Sequence, residues 1–318
     1  MKFDVVIGNP PYQKMDGGFG PSAVPIYDKF VSLAKKINPR FIVMIIPARW
    51  FTCGRDLGKF REEMLHDRRI SHIVDFPLAS DVFPCVLIAG GVCFFLWERD
   101  YNGPCKITTR TREYSDSMVR PLDQFDVLVR FNKAIPILEK VMSKGYPSMS
   151  LQVSRQHPFG FRTFVKPSGS GSVTLYANKA VGKIESDKIC LGIDIIDKWK
   201  VLISRLYNDR SVVPGFMRPI IGKPIVAPPP SACTGTYIVV GAYDTEREAH
   251  NLAVYLRTKF LRFLVGLRKN CQNFSRDRFA FVPIIPMDTV WTDEKLYEHF
   301  GLNDEEIAFI ESVIAPMS

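Results

Sequence analysis

The 318 residues, 46% hydrophobic and 24% charged, suffice for one large or two ordinary globular domains and exclude a disordered chain. The apolar stretches around Phe41–Pro47 and Val86–Trp97 are too short to span a bilayer as helices, and Asn-Pro-Pro at residue 9 interrupts any signal-like run, so a cytoplasmic protein with no membrane association is expected. The net charge of +9 is unevenly placed: residues 151–290 hold 20 Lys and Arg against 10 Asp and Glu, and the rest of the chain holds 22 against 23.

In chain order, Phe3–Gly8 is a short apolar run ended by glycine and proline, the pattern of a buried strand. Apolar residues at 26, 27, 30, 31, 33 and 34 predict an amphipathic helix beginning near Pro25. Phe41–Pro47 reads as a second strand, Phe60–Leu65 as part of a helix, Ile70–Phe76 as a third strand, and Val86–Trp97 as a longer strand or a hairpin. This alternation predicts a doubly wound α/β sheet with its site at the carboxyl ends of the strands. From about residue 145, proline and glycine become frequent and the alternation stops, so the expected domains are 1–145 and 146–318, the second a mixed α/β domain. There, Tyr237–Val240 reads as a strand and Glu246 to about Lys269 as one long helix. Thr292 is the expected N-cap of a helix in the tail, and a last helix is expected over Asp304–Ile314.

The seven cysteines include no Cys-x-x-Cys pair, and the five histidines lie far apart, so buried reduced thiols are expected and no metal site. The chemistry instead points to Asn9-Pro10-Pro11-Tyr12, which follows the first strand directly. An exocyclic amine on an aromatic base is a poor nucleophile because its lone pair is conjugated into the ring. Two hydrogen-bond acceptors holding its N–H groups let that lone pair turn towards an incoming methyl. The Asn9 side-chain carbonyl and the Pro10 backbone carbonyl are the candidates, held rigid by consecutive prolines. Tyr12 offers a ring for stacking, worth roughly 1–3 kcal/mol per base. A base in a duplex reaches such a site only by flipping out, and Phe83 is the candidate for the second stacking ring. Phe83 also fits a core phenylalanine preceding a strand.

The run Phe3-Asp4-Val5-Val6-Ile7-Gly8-Asn9-Pro10-Pro11-Tyr12-Gln13 resembles the catalytic motif of gamma-class N6-adenine DNA methyltransferases, especially those of type IIG restriction–modification enzymes. The likeness continues through Pro25–Val31, Met44–Phe51, Val82–Pro84, Thr258–Leu264 and the Trp291–Met317 tail. The resemblance implies a Rossmann-like methyltransferase sheet, double-stranded DNA as substrate and S-adenosyl-L-methionine as cofactor, with Asn9 and Pro11 bordering its site. It also implies that Phe83 stacks on a flipped adenine.

One departure is large. The family's glycine-containing cofactor motif precedes Asn-Pro-Pro-Tyr, whereas only eight residues precede Asn9, and Gly169-Ser170-Gly171 follows no apolar strand and opens no helix. A nuclease domain is likewise not seen. The chain therefore reads as the C-terminal portion of a longer enzyme, inactive alone, whose N-terminal methyltransferase half comes from the same natural chain or a separate polypeptide. The first strand would then form an open apolar edge.

The basic second region is expected to recognise DNA. Lys259, Arg262, Arg268 and Lys269 on the long helix, and Arg276 and Arg278 around Phe279, are the candidate phosphate contacts. A core helix with solvated cations fits the same pattern. Two other readings of the whole remain open: a non-catalytic DNA-recognition subunit, and a methyltransferase acting on a different planar amino group in RNA or a protein glutamine.

Overall fold

The computed structural model describes residues 3–14, 24–52, 56–86, 88–112, 114–206, 220–268 and 274–317. They form two compact units, Met1–Ile135 and Pro136–Ser318.

The first unit is a six-stranded sheet with helices. Its elements are β1 (Val5–Gly8), α1 (Tyr27–Ile37), β2 (Phe41–Pro47), α2 (Gly58–Leu65), β3 (Ile70–Phe76), β4 (Val92–Glu98), β5 (Cys105–Arg110) and β6 (Ser115–Arg120). The strand order is β1-β2-β4-β3-β5-β6. β1, β2, β3 and β5 run one way, and β4 runs antiparallel to both of its neighbours. The expected doubly wound sheet is thus a mixed one. The segment joining β3 to β4 holds a single short helical turn at Ala79–Asp81, not the helix that a parallel crossover requires. The Val86–Trp97 run splits accordingly: the chain turns through Gly90 and Gly91, and the strand starts only at Val92. Gly91 adopts φ +78°, and a Cβ there would fall 2.1 Å from the Phe76 carbonyl oxygen, so only glycine makes this turn.

The α1 helix buries Tyr27, Val31 and Ala34 and ends at Asn38 in the left-handed conformation, which asparagine tolerates. Beneath it lies a core that includes Trp50, Phe51, Phe60, Phe95 and Trp97. β1 is the edge strand, leaving Ile7 77% and Val5 47% exposed, and Phe30, Leu33 and Ile37 of α1 are exposed as well.

The second unit starts within α3 (Ala134–Ser143) and carries two three-stranded sheets. β7 (Val173–Ala177) lies between β8 (Ala180–Ile184) and the short β11 (Ser231–Cys233). β9 (Trp199–Ser204) lies between β10 (Ile225–Ala227) and β12 (Tyr237–Tyr243). Four helices follow: α4 (Glu246–Arg257), α5 (Lys259–Gly266), α6 (Asp293–His299) and α7 (Asp304–Val313). The single long helix expected from Glu246 is therefore two. Thr258 is extended (ψ 148°), and its hydroxyl accepts the Leu261 N–H, ending α4 and capping α5 in one residue. Asp293 accepts the N–H groups of Lys259 and Phe260 at 3.0 and 2.8 Å, so the start of α5 is specified from 33 residues away. Thr292 caps α6 as its sequence predicts, and Asn303 with Glu306 closes a capping box on α7.

At the amino end of β3, Asp67 holds three elements together. Its carboxylate meets Lys35 at 2.8 Å, Arg69 at 2.8 Å and the Trp97 indole N–H at 3.0 Å. Burial opposes its charge, but the hydrogen bonds from Arg69 and Lys35 outweigh this and hold the acid at about 2. A carboxyl depressed in the folded state contributes stability above its unfolded pKa and loses it as pH falls through the folded value. Asp67→Asn should therefore lower stability at pH 7 by about 1–2 kcal/mol, after discounting for the exposed cations, in urea denaturation. The gap between variant and parent should close between about pH 4 and pH 2.

Candidate methyl-acceptor site

β1 delivers Asn9-Pro10-Pro11-Tyr12 to the carboxyl end of the sheet. Asn9 and Pro11 are exposed, Pro10 is buried and Tyr12 is half-buried. The segment is pinned where it leaves the sheet: the Ile26 N–H donates to the Tyr12 carbonyl at 3.2 Å, and the Lys14 N–H to the Val24 carbonyl at 3.0 Å. Tyr12 packs on a small apolar floor of Ile45, Ala79 and Val92, contributed by β2, the turn after β3, and β4. Phe83 packs on the same floor. The two rings singled out by sequence, 71 positions apart, are thus brought to one place by three different elements. Burial, and secondarily the neighbouring Cys93, push the Tyr12 phenol above its ordinary value, so it is a protonated ring at neutral pH and not a base.

Under this floor lies a buried polar pair that the sequence reading missed. Asp75, on β3, is fully buried, and Arg130 Nε lies 2.6 Å from its carboxylate as an ion pair. Arg130 also donates to the Gly90 carbonyl in the turn before β4, sits 5.6 Å over the Phe51 ring, and has its own carbonyl held by the Thr109 hydroxyl at 2.6 Å. Burial raises the Asp75 carboxyl to about 6 despite the guanidinium beside it. The signal for it was present: an aspartate inside an otherwise apolar, inward-facing strand needs a buried partner. Behind it, burial and the Asp75 charge raise the Cys93 thiol far out of the reactive range. Among the described residues, no three His, Cys, Asp or Glu side chains converge as a metal site would need. A hollow of about 700 Å³ lies at the opposite edge of the sheet, around Asp67 and Arg69. Its cations Lys35, Arg68, Arg69 and Arg99 are paired with three aspartates, Asp67 being shared by Lys35 and Arg69.

The expected phosphate contacts on the second unit need correction. Arg262 is 2% exposed, and its guanidinium donates to the carbonyls of Arg257, Thr258 and Ala315. Arg268 is buried, 4.7 Å over the Phe281 ring, and Arg278 is buried and donates to the Arg268 carbonyl. Lys259 forms an ion pair with Glu311. The reason is that α5 packs against α4, α6 and α7 and buries six consecutive residues, leaving no polar face. Of this set Arg276 alone is exposed among the described residues, and Lys269 lies outside them. No helix among the described residues is long and apolar enough to cross a membrane.

An Asn-Pro-Pro-Tyr segment thus stands at the end of an edge strand, with a second aromatic packed on the same apolar floor. Residues 1–83 match the family model described as Eco57I restriction-modification methylase. Over 113 residues the chain is 38% identical to an uncharacterized adenine-specific methylase of Mycoplasma pneumoniae, covering 35% of this chain and 27% of the relative. The chain thus spans about a quarter of that relative's length. Among solved structures, the type IIL restriction-modification enzyme MmeI in complex with DNA is similar at a TM-score of 0.43 and 9% identity, over 87% of this chain and 45% of that one. The type IIG restriction endonuclease BpuSI is similar at 0.36 and 11%, over 97% and 48%. Both structural likenesses are distant.

The buried pair beneath the site is directly testable. Arg130→Met strands the Asp75 carboxylate and should cost about 3–5 kcal/mol at pH 7 in chemical denaturation, whereas Asp75→Asn with Arg130→Met should cost less. The single variant should regain stability on acidification below pH 7, because its folded state then binds a proton that the unfolded chain does not.

Proposed function

We propose that this chain carries the acceptor half of a site-specific DNA adenine-N6 methyltransferase of a restriction–modification system, with the region from about residue 146 serving target recognition. The observation that carries this reading is the convergence of Tyr12 and Phe83 on one apolar floor at the end of the strand that presents Asn9 and Pro10. A flipped adenine stacks on these rings while its amino N–H groups donate to the Asn9 side-chain carbonyl and the Pro10 backbone carbonyl. The backbone acceptor is preorganised: the prolines limit rotation, and the Tyr12 carbonyl is tied to Ile26. No strong base is required, because the amino proton becomes acidic only after the nitrogen is alkylated. A protonated Tyr12 is consistent with a stacking role.

S-adenosyl-L-methionine is the proposed methyl donor and supplies the electrophilic methyl group. The described residues fit it only at the acceptor side, through Asn9 and Pro11; among them no glycine-rich turn opens a helix beside β1. We infer that a donor-binding element outside these 318 residues, on the same natural chain or a separate one, lies along the open edge of β1. The exposed Val5 and Ile7, with Phe30, Leu33 and Ile37 on α1, support this, since a long apolar edge is otherwise a liability.

Titration calorimetry of the isolated chain should show weak donor binding or none, and micromolar binding would overturn the inferred division of the site. Reconstituted with a donor-binding half, the enzyme should methylate adenine in duplex DNA. Asn9→Ala should then lower kcat by about 10²–10³-fold. Methylation at the parental rate in Asn9→Ala would sink the proposed chemistry.

A further inference from the structure

The cations expected to meet DNA are largely buried, yet the second unit's basic excess is real, and it is displayed elsewhere. Residues 151–192 hold six Lys and Arg against two acidic residues, Glu185 and Asp187, and Glu185 is paired with Lys188 at 3.0 Å. Within this stretch Arg155, Arg162 and Lys166 are exposed and enter no ion pair among the described residues. Between the last two stands Phe164, 80% exposed.

That exposure is imposed by the fold. Phe159 and Phe161 are buried in the core of this unit, and Val165 packs against it. The Val165 N–H donates to the Arg162 carbonyl at 3.2 Å, closing a turn with Thr163 and Phe164 at its tip. The Phe161 carbonyl is held by the Gly235 N–H and by His157 Nδ1, each at 2.9 Å, and the Ser168 N–H is held by the Lys183 carbonyl at 3.0 Å. Anchored on both sides, the turn cannot fold its ring inward. A second segment packs nearby: a Cβ on Gly192 would fall 2.8 Å from the Pro158 carbonyl oxygen, and one on Gly160 would fall 3.7 Å from the Cys190 Cβ. On that segment Leu191 and Ile193 are 55% and 67% exposed.

We propose that this face contacts duplex DNA, with Arg155, Arg162 and Lys166 on phosphates and the Phe164 ring pressed into a groove or between base steps. The inference rests on the reading that the second unit meets DNA. Unpaired cations on either side of a rigidly presented aromatic suit a polyanion with stackable bases better than an apolar protein partner, which the flanking charges would have to be desolvated to accept.

The test is duplex binding by the full chain as a function of salt. Arg162→Gln with Lys166→Gln should flatten the slope of log affinity against log salt by about 2, while Lys144→Gln with Lys295→Gln, equal in charge and also on this unit's surface, should leave it near the parental value. Phe164→Ala should melt like the parent and bind about tenfold more weakly with an unchanged slope. A parent that does not bind DNA would defeat the underlying reading. A parent that binds, with loop variants of parental affinity and slope, would overturn this inference alone. So would unchanged DNA binding accompanied by loss of self-association in Phe164→Ala.

Discussion

The ion pair between Asp75 and Arg130 is the constraint on which the first unit's site depends. It joins the end of β3 to the carbonyl of Gly90, and so sets where the chain turns before entering the sheet as β4. β4 then occupies the middle of the sheet, between β2 and β3, and its first residue, Val92, supplies part of the floor under Tyr12 and Phe83. A charged pair largely removed from water costs more in desolvation than a hydrophobic replacement would, so its retention fits a positional role better than a stabilising one.

Around that anchor the first unit divides its tasks between its two edges. The carboxyl ends of the parallel strands carry Asn9, Tyr12 and Phe83, while the amino end of β3 carries the Asp67 network that fixes α1, β3 and β4 to one another. The outer flank of β1 pairs with no strand among the described residues and presents apolar side chains to solvent, a combination that natural sheets normally cover.

Much of the first unit was legible from residue order. β2 matches the apolar run that predicts it, because a strand buried on both faces writes itself as a continuous hydrophobic stretch, and β3 follows its expected bounds although Ser71, His72 and Asp75 interrupt its apolar residues. Asn9 to Tyr12 stood out because proline pairs after a strand have few structural uses. Strand direction was not legible, since an apolar run has no polarity; it took the short β3–β4 connection and Gly91 to show that β4 returns antiparallel. The α4–α5 break also escaped, because Thr258 continues a helical periodicity while Asp293, far along the chain, accepts the N–H groups that open the second helix.

The basic residues show the boundary between the two kinds of knowledge most plainly. Sequence by itself determined that positive charge concentrates between residues 151 and 290, and that Asn9-Pro10-Pro11-Tyr12 follows the first strand directly. Tertiary structure alone decided which cations face water: Arg262, Arg268 and Arg278 spend their guanidinium groups on carbonyls and rings of the helical core, whereas Arg162 and Lys166 stand free beside an exposed Phe164. The physical reason is that charge is a property of a residue, but exposure is a property of everything packed against it.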